Sequence, residues 1–438
     1  MILRHAALLA LLAAGCTASP PVPPPVISAV DAPKPAPLAS ASPPDTAAPP
    51  LDSAATPEPR EPAATAALDY ASMNNAFAAR LYGIVSGDAG NVFFSPLSIS
   101  TALAMTYAGA SGNTAREMEQ ALSFTLSGDA LHATVNETLS PILGSVAELR
   151  LANRLWPQQG LSLEKPFLAL IAEYYRAPVE PLDFRGSAEP SRLRINAWVG
   201  ERTKQKIPEL LAKGTIDPST AMVLTNAVYF MGVWQYQFKP AATKPEPFTA
   251  AAGVVVQTPL MHQTLQTGYG ETADAQVVEL PYTGSTHGPR LAMDVILPKD
   301  AGGLAAVEKN LVSAGIASYV GSLTRAEVDV TLPRFKTSWR RSLNSALQAL
   351  GMREAFSASA DFSAMTRGGG LFISLVQHEA FVDVNERGTE ATAATAVVMT
   401  KSAAPRRVVF RADRPFLFLL RDTASGLVLF MGRFAKPS

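Results

Sequence analysis

Several strand-like runs in the second half of this chain have no polar face to offer water. LAMDVILP (291–298), FLFLLRD (416–422) and LVLFMGRF (427–434) are apolar almost throughout, and AMVLTNAVYFMGVWQYQF (221–238) is nearly so. A strand with one wet face alternates apolar and polar residues, so unbroken runs belong to sheets covered on both sides. QVVELPY, AEVDVTLPRF, LFISLVQHEAFVDV and RRVVFRADRP add further strands to this half.

The covering layer is written into the first half. In DYASMNNAFAARLYGIV (69–85), Met73, Phe77, Leu81 and Ile84 share one helical face. Ser95-Pro96 opens an apolar helix in SPLSISTALAMTYAGA, and Asn113 or Thr114 caps another in SGNTAREMEQAL. SLEKPFLALIAEYYR and SRLRINAWVGERTKQKIPEL read as helical, as does WRRSLNSALQALG, where Leu343, Leu347 and Leu350 align before Gly351. Helices first and strands later predict an α+β fold. No linker, charge block or short repeat interrupts residues 68–438, so one domain is expected there.

The first 67 residues are of another kind. MILRHAALLALLAAGC has a short basic head, an apolar run from Ala6 to Ala14 and small residues before Cys16, which reads as an export signal over 1–15. LAAGC resembles the bacterial lipobox, in which the cysteine becomes the lipid-modified first residue. The plainer alternative is an ordinary signal peptide with a stray cysteine, against which stands the fact that Cys16 is the sole cysteine of the chain. Residues 17–66 hold fifteen of the 35 prolines among Ala, Ser and Thr. Such a segment buries too little apolar surface to offset its ordering entropy, so 16–67 reads as a lipidated, extended tether reaching up to ~150 Å. The expected location is the cell envelope, anchored to a membrane and facing the periplasm or exterior.

Few features of the sequence point to catalysis. With 37 basic and 37 acidic residues the net charge is zero, and no helix carries a concentrated Lys/Arg face, so nothing favours nucleic acid. A single cysteine allows no internal disulfide and no thiolate metal site. There is no G-x-S-x-G, H-E-x-x-H or phosphate loop, and RGGGL (367–371) lacks the strand and helix a dinucleotide site needs. No catalytic residue, metal or cofactor is expected. His378 shares an apolar strand face with Val376, Ala380 and Val382, equally suited to a core histidine or a functional one. Asn226 lies in the apolar LTNAVYF, and a buried amide needs partners. The two residues can satisfy each other across neighbouring strands.

NVFFSPLSISTALAMTYAGASGNTAREMEQAL, LTNAVYFMGVWQYQF, LPRFKTSWRRSLNSALQALGM, VQHEAFVDVNERGTEATAATA and RPFLFLLRDTASGLVLFMGR, in this order, resemble the serpins over essentially all of 68–438. The resemblance implies three β-sheets, eight or nine helices and an exposed reactive-centre loop. It implies a polar "shutter" of Ser95, Ser98, Asn226 and His378 beneath the central sheet, and a "breach" at Trp234 and Glu386 where loop insertion begins. It also implies a monomeric suicide inhibitor without a cofactor, whose partner is a serine protease held as a covalent acyl-enzyme; the alternative is a non-inhibitory serpin with a binding or chaperone-like role.

The implied hinge comprises Glu386, Gly388, Thr389, Glu390, Ala391, Thr392, Ala393 and Ala394. Strand side chains alternate, so if Thr389 points inward, Ala391, Ala393, Thr395, Val397 and Met399 follow it. That set is uncharged, and Glu390 falls on the outward parity. For the cleaved bond, counting from Glu386 by the commonest family spacing gives Ser402, an elastase-like or subtilisin-like bait. Counting back from RPFLF gives Lys401, a trypsin-like bait, and Lys401-Ser402 is the preferred bond; Met399 stays open, and Arg406-Arg407 reads as structural.

Overall fold

The computed structural model describes residues 63–145, 147–177, 179–284, 290–321, 323–389 and 407–437. In chain order the elements are α1 (Ala63–Val85), β1 (Val92–Phe94), α2 (Pro96–Tyr107), α3 (Gly112–Leu122), α4 (Gly128–Leu143), β2 (Glu148–Pro157), α5 (Lys165–Leu170), α6 (Phe184–Arg202) and β3 (Met222–Val233). Next come β4 (Lys244–Thr249), β5 (Val255–Glu271), β6 (Ala275–Pro281), β7 (Leu291–Pro298), α7 (Leu304–Ala314), α8 (Ala317–Val320), β8 (Thr324–Pro333) and β9 (Phe335–Ser342). Last are α9 (Asn344–Ala349), β10 (Leu375–Asn385), β11 (Gly388–Thr389), β12 (Val408–Arg411), β13 (Phe416–Asp422) and β14 (Val428–Phe434).

The apolar runs lie where their composition requires. Every residue of β7, β13 and β14 is buried, on both faces. They belong to a nine-stranded sheet ordered β1-β14-β13-β7-β6-β5-β8-β12, with β4 paired to β5. A second sheet has the order β2-β3-β11-β10-β9. The resemblance implies three sheets, whereas hydrogen-bond connectivity among the described residues gives two. The reason is the length of β5, which pairs with β4, β6 and β8 and so joins two smaller sheets into one ladder.

On α1, Met73, Phe77 and Leu81 are buried as their spacing predicts. Helix α2 is buried along its whole length, and it starts where Ser95 Oγ accepts the Ser98 N–H and Pro96 supplies a preset φ. It packs against β2, β3 and β14. Beyond this main core, Trp156, Phe184, Ile195, Trp198, Val199, Val223 and Ala227 form a second cluster, which seats α6 on the outer face of β2 and β3.

Two helical expectations are corrected. Trp339 to Ser342 are strand, not the first turns of a helix, because β9 pairs with β10 from Phe335 to Ser342 and buries Phe335 and Trp339 on one face. Helix α9 begins only at Asn344. The run SRLRINAWVGERTKQKIPEL stops being helical at Arg202, since Lys204 and Gln205 adopt left-handed φ values of 51° and 60°.

Candidate functional site

The middle of the five-stranded sheet holds an unusual junction. Strands β3 and β10 run parallel and pair directly from Leu375 opposite Val223 to Phe381 opposite Tyr229. Beyond that point they separate, and β11 lies between them. Thr389 pairs with Val384 on one side and Gly232 on the other, and Gly388 with Asn385 and Val233, antiparallel to both neighbours. Gly388 has φ +153°, and a Cβ there would lie 2.1 Å from the Gly232 carbonyl oxygen, so only glycine fits this backbone approach.

A buried polar cluster sits under the paired part of this junction. His378 and Asn226 are register partners across β10 and β3. The Ser95 N–H donates to His378 Nε2 at 3.3 Å, which leaves Nδ1 to carry the proton and donate to Asn226 Oδ1. Asn226 Nδ2 donates to Ser98 Oγ and to Asn153 Oδ1, each at 2.7 Å. Ser98 Oγ donates to Asn153 Oδ1 at 3.0 Å, Asn153 Nδ2 returns a bond to the Ser98 carbonyl, and Ser95 Oγ donates to the Leu429 carbonyl at 2.6 Å. Burial pushes the His378 pKa down to about 3, so the ring is neutral, as this bonding pattern requires. The cluster ties β2, β3 and β10 to the start of α2.

A second constellation surrounds β11. Trp234 Nε1 donates to the Asn385 carbonyl, and its backbone N–H to the Arg387 carbonyl, both at 2.9 Å. The Trp234 ring stacks on Tyr282 with centroids 4.5 Å apart. Tyr282 in turn shares a 2.7 Å hydrogen bond with Thr389 Oγ1, and Thr389 is fully buried. The Glu386 carboxylate accepts from Thr243 Oγ1 at 2.8 Å and faces Arg334 at 3.8 Å.

The structure therefore brings Ser95, Ser98, Asn226 and His378 into one network, and Trp234, Glu386, Gly388 and Thr389 into another. Asn153, Thr243 and Tyr282 were not expected. Asn153 sits beside the charged Arg154 in LANRLW and so does not stand out as a lone amide, and Thr243 and Tyr282 join through tertiary register alone. Glu390, Ala391, Thr392, Ala393, Ala394, Lys401, Ser402 and Cys16 lie outside the described residues, as do 1–62 altogether. No group of three or more His, Cys, Asp or Glu able to hold a metal occurs among the described residues.

The family model described as "Serpin (serine protease inhibitor)" matches residues 72–437. Serpin B8 of Homo sapiens is 40% identical over 377 residues, covering 84% of this chain and 100% of its own. The leukocyte elastase inhibitor of Bos taurus is 41% identical over 359 residues, covering 80% and 94%. Among solved structures, the thermophilic serpin tengpin in its native state superposes with a TM-score of 0.75 at 31% identity, covering 83% of this chain and 93% of that one.

Proposed function

Since the chain belongs to the serpin family of serine protease inhibitors, we propose that it inhibits a trypsin-like serine protease outside the cytoplasm, irreversibly and as a suicide substrate. Loop insertion in this family is a known case of strand addition driven by stored strain. The observation that carries the proposal is β11, two residues already seated between β3 and β10. The protease serine attacks the Lys401 carbonyl, the Ser402 amine leaves, and the acyl-enzyme joins the protease to the severed loop. The loop then follows β11 into the sheet.

Extending the β11 register shows why the loop composition suits this path. Ala391 would come between Val382 and Phe230, Ala393 between Ala380 and Val228, and Thr395 between His378 and Asn226. All six flanking residues are buried, so a charge on this parity would have no solvent. The seven-pair parallel contact of β3 with β10 would be exchanged for two antiparallel ladders. About ten additional backbone hydrogen bonds, at ~1 kcal/mol net each, give a gain on the order of 10 kcal/mol. That rivals the whole stability of an ordinary domain, so the uncleaved fold is a kinetic trap.

Incubation with trypsin, elastase and subtilisin tests the proposal. A complex with trypsin that survives SDS and boiling supports it. Cleavage without a complex for any of the three indicates a non-inhibitory serpin instead. A released C-terminal peptide starting at Ser402 assigns the bait to Lys401, and one starting at Ala403 moves the target to the elastase-like or subtilisin-like class. We further propose export and anchoring through Cys16, supported by the apolar run before it. Incorporation of labelled palmitate should be lost in Cys16→Ser; equal labelling would contradict the anchor.

A further inference from the structure

The chain that leaves α6 crosses the face of the five-stranded sheet opposite to His378. Lys204 and Gln205 turn it at left-handed φ values of 51° and 60°, and Ile207, Leu210 and Leu211 are then buried in one cluster with Val223 and Ala227 of β3. Its other attachments are to the far side of the junction. Arg340 of β9 donates to the Glu209 carbonyl at 2.6 Å, and the Lys206 ammonium stands 5.9 Å from the centre of the Phe381 ring on β10. Residues 206–211 thus bridge β3 to the β9-β10 pair, across the line along which the proposed insertion parts β3 from β10.

Glu379 stands between the two attachments, as register partner of Ala227 on β3 and of Arg340 on β9. Its buried Oε2 takes no hydrogen bond, from Arg340 or from any other donor. Burial pushes its pKa up to about 7, against the opposing charge of Arg340. The other charged or titratable groups on this face are Asp383, two residues along β10 and paired with Lys336 of β9, Tyr229 of β3, and Lys206 and Glu209 of the bridge itself.

We propose that Arg340 is a positioning residue that brakes loop insertion by tying Glu209 to β9, and that Glu379 releases the brake by drawing the Arg340 guanidinium to itself when it ionises. The inference rests on the insertion mechanism proposed above. A charged carboxylate is a stronger acceptor than a peptide carbonyl, so ionisation moves the guanidinium from the bridge to the strand beside it. While Glu379 is neutral the bridge stays tied, and parting β3 from β10 by one strand spacing of about 4.8 Å breaks the bond from Arg340 to Glu209. Insertion is therefore faster at pH 8 than at pH 6.

Annealing of a labelled synthetic peptide with the sequence of residues 389–400 into the full, uncleaved chain reads the opening of the sheet without a protease. The rate for the parent protein is expected to rise severalfold from pH 6 to pH 8. Glu379→Gln should stay at the parent's pH 6 rate throughout, and Arg340→Met should reach at least the parent's pH 8 rate at both pH values. A parent rate indifferent to pH, a rise in Glu379→Gln equal to the parent's, or an Arg340→Met rate no higher than the parent's at pH 6 would each overturn the brake and leave insertion standing. No annealing in any of the three proteins would overturn the insertion mechanism itself, and the brake with it.

Discussion

His378 and Glu379 are adjacent on β10, face opposite sides of the sheet and respond to pH in opposite senses. Burial holds the His378 pKa at about 3, below its ordinary 6.5. The unfolded chain therefore takes up a proton that the fold refuses, and this contribution to stability is complete above pH 6.5 and lost as pH falls towards 3. Burial pushes Glu379 up to about 7 against the opposing charge of Arg340, and its Oε2 has no donor. Its contribution is complete below pH 4.5 and is lost as pH rises through 7. Glu379→Gln should accordingly flatten the Tm profile between pH 4.5 and 7 and raise Tm at pH 8; a profile superposing on the parent would contradict this. His378→Ala strands the Ser95 N–H and Asn226 Oδ1, and urea unfolding of the uncleaved form should show a loss of about 3 kcal/mol. The pairing of His378 with Asn226 was legible because both interrupt apolar strands. Asn153 was not legible in this way, since charged Arg150 and Arg154 already break up its strand.

At the scale of elements, β11 is the part most open to test. Thr389 points inward and is fully buried against Tyr282, which meets the condition on which the inward set of the loop was read. Thr389→Arg would bury a cation that costs several kcal/mol, and each 1.4 kcal/mol added to the insertion barrier slows it tenfold. Hydrolysis then outruns insertion, and the number of inhibitor molecules consumed per protease should rise severalfold while the loop is still cleaved. An unchanged stoichiometry would contradict the inward hinge. Local sequence failed where pairing outvoted periodicity. Trp339 to Ser342 share the spacing of α9 yet lie in a strand, since β10 offers them a ladder and Trp339 a buried seat. Tyr282 gave no warning because its contact with Thr389 spans 107 residues.

For the molecule as a whole, unbroken apolar runs and an opening set of helices were enough to read α+β with doubly covered sheets. The three sheets came from the resemblance and not from the runs themselves; two of them share one ladder because β5 pairs with β4, β6 and β8. The proposed mechanism requires the sheet to take one more strand between β3 and β10, which are paired directly from Leu375 to Phe381. The most direct measurement is the melting temperature before and after a single cut near Lys401. With a gain on the order of 10 kcal/mol, the severed protein is expected to melt on the order of 20 °C higher. If its Tm stays where it was or falls, the loop has not entered the sheet and the trap described here does not exist.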